Sequence, residues 1–216
     1  MNVVEQAISF AGETLVLTNQ RALYWPRKEA LVLSDLHLGK AAHFRKNGIA
    51  LSTQVSVQDL QRLAQLIVYY GAGLVIIAGD LVHAGANKEV ELFGTLTKQF
   101  PETRFILIRG NHDRFSDDKL KAIGIYAVHQ QWNMDTIDFS HAYKEDTGMP
   151  MISGHIHPGV SVQLPAGKRL RLPCYVVTEN RLILPAFSLF TGLDTSFVSE
   201  DAEYYAFYEG GIFKIV

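Results

Sequence analysis

Three times along this chain an unbroken apolar run stops at polar residues of the kind that bind metals, and a stretch with helical spacing follows. Leu31-Val32-Leu33 runs into Asp35, Leu74-Val75-Ile76-Ile77-Ala78 into Gly79-Asp80, and Phe105-Ile106-Leu107-Ile108 into Gly110-Asn111. A run with no polar alternation is what a strand covered on both faces requires, and such strands belong to parallel sheets flanked by helices. Between the runs, Leu60, Leu63, Leu66, Ile67 and Tyr70 recur at helical spacing. The segment Ser56-Val57-Gln58-Asp59 resembles a capping box at the start of that helix, and Gly71 and Gly73 end it. Asn87 is placed to cap a second helix that reaches about Gln99, with Pro101 stopping it. This is the βαβ rhythm of a layered α/β fold, in which ligands gather beyond the carboxyl ends of the strands.

The flanking regions read as β structure. Short strands are expected over Ala7–Phe10 and Glu13–Leu17, then over Ile125–Val128, Thr136–Ser140 and Met151–Ser153. Val160–Leu164 and Arg169–Cys174 flank Pro165-Ala166-Gly167, a hairpin signal, and Arg181–Leu184 and Tyr204–Val216 continue the pattern. No repeat, low-complexity stretch or linker interrupts the chain, so one domain over residues 1–216 is expected.

Composition narrows the function classes. With 48% hydrophobic and 19% charged residues the chain folds around a core and is not disordered. A formal net charge of −2 gives no bulk electrostatic hold on duplex DNA. Cys174 is the only cysteine, which excludes an intrachain disulfide, and its apolar surroundings read as those of a small buried hydrophobe. Residues 63–79 carry no charge, but they fall short of the roughly 20 apolar residues a membrane span needs, and Gln65, Gly71 and Gly73 interrupt them. The N-terminus has neither the basic nor the apolar region of a signal peptide. A soluble, cytoplasmic protein without a membrane partner is expected.

The polar segments form a set: Asp35-Leu36-His37, Gly79-Asp80-Leu81-Val82-His83, Gly110-Asn111-His112-Asp113, Ser140-His141 and Gly154-His155-Ile156-His157. Asp35 and His37 are two apart, as are His155 and His157, so on extended segments each pair faces one cleft. Asp80 suits a carboxylate bridging two cations. Asn111 adds a carbonyl oxygen and His141 another imidazole. Nitrogen and oxygen donors without thiolate fit two divalent ions, Mn first, with Fe or Zn as alternatives. Two metals about 3.5–4 Å apart clamp a phosphoryl group and activate a bridging water. His112 is then free as an acid toward the leaving oxygen, with Asp113 holding its ring in the useful tautomer.

Together these motifs resemble the calcineurin-like metallophosphoesterase superfamily, from about Asp35 to His157. The resemblance implies a sandwich of two mixed β-sheets flanked by helices. It also implies one metal on Asp35, His37, Asp80 and His157, a second on Asp80, Asn111, His141 and His155, and His112 as the catalytic histidine. His141 follows Ser140, where many members have glycine. The run from Asp35 to Arg45, with Gly79-Asp80-Leu81-Val82-His83, looks like the SbcD-related branch, and within it like the small bacterial phosphoesterases associated with DNA ligase and the DNA-damage response. That implies a phosphodiesterase or nuclease acting on DNA or nucleotides beside repair proteins. A phosphoesterase for small or cyclic nucleotides is the enzymatic alternative, and a non-catalytic scaffold the alternative from another class.

Beyond the ligands, His83 either touches substrate phosphate or bonds within its loop. Lys40, His43 and Arg45 either line a phosphate path or begin a solvated helix. Lys168, Arg169 and Arg171 form a small basic cluster on the predicted hairpin, either solvated or in contact with nucleic acid. Residues after His157 read as strands completing the sheets, without room for a DNA-clamping domain, so small or single-stranded diesters are the expected substrates.

Overall fold

The computed structural model describes residues 1–40, 54–83, 85, 87–144, 148–199 and 201–215. Its first sheet has seven strands in chain order: β1 (Glu5–Phe10), β2 (Glu13–Thr18), β3 (Leu23–Trp25), β4 (Ala30–Leu33), β5 (Leu74–Ile77), β6 (Arg104–Ile108) and β7 (Ile125–His129). Pairing is antiparallel up to β4 and parallel from β4 to β7. Helices α1 (Gln54–Tyr70), α2 (Lys88–Gln99) and α3 (Asp117–Ala122) lie in the three crossovers.

The three apolar runs are the three parallel strands, and their two faces serve two cores. Leu31, Leu33, Val75, Ile77, Phe105 and Leu107 pack against Leu63, Leu66, Ile67, Val90, Phe93, Leu96 and Leu120 of the helices. Val32, Ile76, Ile106 and Ile108 face the other way, into the second sheet. That sheet runs β15 (Gly211–Ile215), β14 (Glu203–Tyr208), β12 (Arg169–Val177), β13 (Arg181–Ile183), β10 (Met151–Ser153), β9 (Ile137–Ser140), β8 (Gln131–Met134), with β11 (Gly159–Gln163) paired to β12. Strands β9, β10 and β13 are parallel and the other pairings antiparallel. Phe139, Ile152, Tyr175, Val177, Leu182, Tyr205 and Phe207 meet the first sheet in the sandwich core. The expected α/β sandwich of two mixed sheets is therefore the fold.

Local readings differ in places. Ser56 does not cap α1; it lies inside the helix and its hydroxyl donates to Glu89 Oε2 (2.9 Å). Asp59 is buried and paired with Arg62 (2.8 Å) instead of closing a capping box. Asn87 does cap α2, accepting from Glu89 N and Val90 N (2.9 and 3.2 Å). Strands β3 and β8 and helix α3 are too short to carry a periodic signal and emerge only from pairing and packing. The expected β segment Tyr204–Val216 is, over its described residues, two strands, Glu203–Tyr208 and Gly211–Ile215, turning at Glu209-Gly210. Cys174 is fully buried, as expected, and burial pushes its thiol up to about 12. No helix among the described residues is long and apolar enough to cross a membrane.

One buried polar contact ties the sheets together. Tyr175, on β12, sends its hydroxyl to the carbonyls of Thr18 and Ala22 (2.8 and 2.9 Å), between β2 and β3, and accepts weakly from Thr18 N (3.4 Å). Tyr175→Phe keeps the packing but leaves those groups in a dry core, so an equilibrium urea titration should show a loss of about 1–3 kcal/mol.

Candidate metal centre

The polar segments all follow the carboxyl ends of parallel strands, and those strands come from both sheets. Asp35 and His37 follow β4, Asp80 and His83 follow β5, and Asn111, His112 and Asp113 follow β6. His141 follows β9, and His155 and His157 follow β10. The strand ends of one sheet thus face those of the other, and the seven candidate ligands converge there.

They converge by a route the strand periodicity did not predict. Asp35, His37, Asp80, His155 and His157 all have left-handed backbone, with φ of 58°, 51°, 52°, 72° and 54°. None of these pairs lies on an extended segment. Each residue sits in a sharp turn, a conformation that non-glycine residues seldom adopt. Ladder-like hydrogen bonds carry on past the strands and hold the turns in place: Asp35 N to Gly79 O, His37 N to Asp80 O and Leu38 N to Leu81 O (3.0, 2.8 and 2.8 Å).

Two glycines keep the turns tight. A Cβ on Gly79, itself at φ +88°, would stand 2.1 Å from His141 Nδ1, and one on Gly110 would stand 2.3 Å from Asp80 Oδ1. The imidazole of His141 fills the space a side chain would need, with its Nδ1 3.0 Å from Ala78 O. Donating Nδ1–H to that carbonyl leaves Nε2 turned into the centre.

The donor atoms gather into two groups. In one, Asp35 Oδ1 lies 3.2 Å from His157 Nε2 and 3.8 Å from His37 Nε2, and the two imidazole nitrogens are 3.4 Å apart. In the other, His141 Nε2 is 3.0 Å from both His155 Nδ1 and Asn111 Oδ1 and 3.4 Å from Asp80 Oδ2. Asp80 Oδ2 is also 4.0 Å from His37 Nδ1, so its carboxylate stands between the groups. The other oxygens have partners: Asp35 Oδ2 accepts from His155 N (3.0 Å) and Asp80 Oδ1 from His112 N (2.9 Å).

Both groups suit divalent cations. Asp35 Oδ1 and His37 Nδ1 are buried and make no hydrogen bond among the described residues, a condition a cation relieves. Burial holds His37 down at about 3 despite the pull of Asp35, so its ring is neutral and offers lone pairs. Burial opposes the charge of Asp80, but the hydrogen bond and charge of His141 hold it at about 2. Burial likewise opposes the charge of His141, but Asp80 and Asp35 raise it to about 9. The proton on His141 occupies the position where a cation would balance Asp80.

The surroundings differ in part from expectation. His83 lies at the centre, its ring edge-on to His37 (5.4 Å) and tilted against His112 (4.4 Å). Lys40 is half-buried, its N donates to His37 O (3.0 Å), and burial lowers its ammonium against the attraction of Asp35 and Asp80. His43 and Arg45 lie outside the described residues. His112 Nε2 is 4.0 Å from Asp80 Oδ2 with a partly exposed side chain. Among the described residues no hydrogen bond joins Asp113 to that ring. Its carboxylate instead accepts from Val82 N and Gly110 N (2.8 and 2.9 Å), tying the β5 and β6 loops together, and burial pushes it up to about 6. Buried main-chain amides outcompete the neighbouring ring for its oxygens.

Three supporting groups carried no motif. Ser188 N donates to Asp35 O (3.1 Å), laying the segment after β13 along the centre. Arg62 and Asp59 hold that segment from α1, Arg62 through Phe187 O and Asp59 through Leu189 N (3.2 Å). Glu89 accepts from Gly39 N (2.6 Å) at the turn after His37. Asp59 and Arg62 did leave one trace: a charged pair three residues apart within the apolar stripe of a helix.

Residues 29–164 match the family model described as calcineurin-like phosphoesterase. The crystal structure of Pseudomonas putida nuclease MPE is similar throughout, with a TM-score of 0.83 and 30% identity over 98% of this chain and 100% of that one. A protein of unknown function from Aquifex aeolicus, AQ665, aligns over 59% of this chain and 78% of its own at 17% identity and a TM-score of 0.42, too distant to add to the assignment. No curated protein matches the chain.

Asp113→Asn puts an amide N–H against one of two buried backbone donors. Stability measured by urea titration in chelator should fall by about 1–3 kcal/mol, because the tie between loops needs no metal.

Proposed function

The chain belongs to the calcineurin-like phosphoesterase family, and from that premise we propose a phosphodiesterase of nuclease type, hydrolysing nucleic-acid diesters in DNA repair. One observation carries the reading: two donor groups, Asp35 with His37 and His157, and Asp80 with His141 and His155, meet at one cleft with His112 beside Asp80. Asp35, His37, Asp80 and His157 would hold one divalent ion, and Asp80, Asn111, His141 and His155 the other; nitrogen and oxygen donors without thiolate fit Mn, Fe or Zn, and the family resemblance puts Mn first. When bound, such a pair neutralises phosphate charge and lowers the pKa of water.

The residues of the chain supply the rest. Asp80 balances both cation positions with one carboxylate. Ala78 O fixes the tautomer of His141, and Asp113 fixes the loop that carries Asn111 and His112. His112, partly exposed and packed on His83, delivers a proton to the departing oxygen. Lys40 and His83 meet phosphate at the mouth. The nuclease activity named for the P. putida structure supports the diester reading, and the resemblance to ligase-associated phosphoesterases supports the repair context and repair-protein partners. A cytoplasmic protein follows from that context.

Side-by-side assays of metal-loaded protein on bis-p-nitrophenyl phosphate, a 2′,3′-cyclic nucleotide and single-stranded DNA test the function. Turnover of the first and third supports it, and turnover confined to the cyclic nucleotide replaces it with the small-molecule alternative. His112→Ala should retain both metals and lose about 10²–10⁴-fold in kcat on an alkyl-leaving diester, and much less with p-nitrophenolate, which leaves without a proton.

Elemental analysis should find two metals per chain, and Asp80→Asn should weaken both. Because His141 is raised to about 9 before metal enters, binding at pH 7 must expel a proton. Affinity should therefore rise with pH, by up to about tenfold per unit between 7 and 9, as read by calorimetry in buffers of different ionisation enthalpy.

A further inference from the structure

A basic face projects beyond the strand ends that carry the metal centre, and among the described residues it has no partner. Strands β11 and β12 form a hairpin that begins just after His157, with Ser161 opposite Arg171 and Gln163 opposite Arg169. Alternate residues share a strand face, so Arg169, Arg171, Ser161 and Gln163 lie together, and all four are exposed. Val160 and Val162, on the opposite face, pack against the apolar cluster outside the second sheet. Lys168 adds a third exposed charge at the turn. Among the described residues, none of these three basic side chains forms a salt bridge or hydrogen bond. In a chain of net charge −2, such a face is a local departure from the average.

Strand direction carries this face past the same end of the second sheet as the site. β12 is antiparallel to β13, which is parallel to β10, so Val176 is level with Ile183 and through it with Ser153, the last residue of β10. Residues preceding Val176 project beyond that end, the same end that carries His141, His155 and His157. At about 3.4 Å per residue, Arg171 and Arg169 reach roughly 17 and 24 Å past the level of Ser153. The same alternation assigns them to the face of Tyr175 and Val177, which pack on the first sheet. At its base a Cβ on Gly159 would stand 2.8 Å from Leu193 Cβ. The segment bearing Leu193 continues to Asp194, whose N donates to His157 O (2.9 Å), and leads back to Ser188 on Asp35. The base of the hairpin is therefore joined to the segments that carry His157 and Asp35.

We propose that the Arg169–Arg171 face of the β11–β12 hairpin is a phosphate track for single-stranded nucleic acid leaving the metal centre, which makes a polynucleotide the substrate class in preference to a mononucleotide or cyclic nucleotide. This rests on the phosphodiesterase reading above. Guanidinium groups grip phosphate through paired N–H donors, and two of them rooted about 7 Å apart on one face suit an extended backbone. The three charges of this face are fewer than the phosphate contacts on which electrostatic binding of a duplex draws.

The test compares the wild type with Arg169→Gln/Arg171→Gln and with Arg169→Lys/Arg171→Lys, in kinetics on bis-p-nitrophenyl phosphate, a dinucleotide and a single-stranded oligonucleotide long enough to reach Arg169. Anisotropy of the labelled oligonucleotide measures binding separately. The glutamine pair should raise KM for the oligonucleotide about tenfold, leave kcat and both small substrates unchanged, and flatten the salt dependence of binding by about 1.4 (0.7 for each of two lost contacts). The lysine pair should restore most of the slope. A wild type active on the small diester, combined with oligonucleotide KM and salt slope that both substitutions leave unaltered, overturns the track. A wild type inactive on every diester overturns the phosphodiesterase reading instead, and the anisotropy still decides whether the arginines hold the strand.

Discussion

Two buried carboxylates meeting imidazole rings is the interaction to which the rest of the structure answers. Asp35 and Asp80 are 0% and 2% exposed, yet both titrate below the ordinary carboxylate range. Charge taken out of water is costly unless it is closely compensated. Here the compensation is assembled from backbone amides of His155 and His112, a proton on His141 and the ring of His157. It remains incomplete at Asp35 Oδ1, which is where a divalent cation has most to offer.

Holding that arrangement requires strain, and the fold contains it. The five left-handed residues at the centre each carry a conformational cost of about 1–3 kcal/mol. They persist because neighbours over-determine them. Asp35 donates to Gly79, accepts from Ser188 and takes a bond from His155 on its side chain. The glycines before Asp80 and Asn111 leave open the space that the side chains of His141 and Asp80 fill. Asp113 closes the set by fastening two of the loops through their amides.

Because donors come from both sheets, the position of one sheet on the other is part of the chemistry. His141, His155 and His157 belong to the second sheet, and Asp35, His37, Asp80 and Asn111 to the first. The sandwich core of Trp25, Phe139, Tyr175 and Phe207 sets their separation, and the hydroxyl of Tyr175 fixes its register at the same end of the strands. The helical core has a second role: α1 reaches under the Ala186–Leu189 segment through Arg62 and Asp59 and presses it to Asp35. Residues with no role at the donor atoms thus set the geometry there.

The sequence by itself determined the elements whose signal is local. Three apolar runs could only be strands covered on both sides, and the motifs at their ends identified the loops that matter and most of their donor residues. Only the tertiary structure decided how those residues meet. The alternation argument for Asp35 with His37, and for His155 with His157, assumed extended backbone that these residues do not have, because left-handed conformations are set by neighbouring loops and leave no periodic trace. Asp113 was assigned to His112 by adjacency, but the buried amides of Val82 and Gly110 claim it, one of them from a segment distant in sequence. Ser56 and Asp59 read as a cap until packing against Glu89 and Leu189 gave them other partners. Arg169 and Arg171 were an isolated charge cluster until strand order carried them past the end of β10. Periodicity and motif are properties of short segments, whereas a site assembled from two sheets depends on contacts between residues up to 157 positions apart, and packing alone selects those.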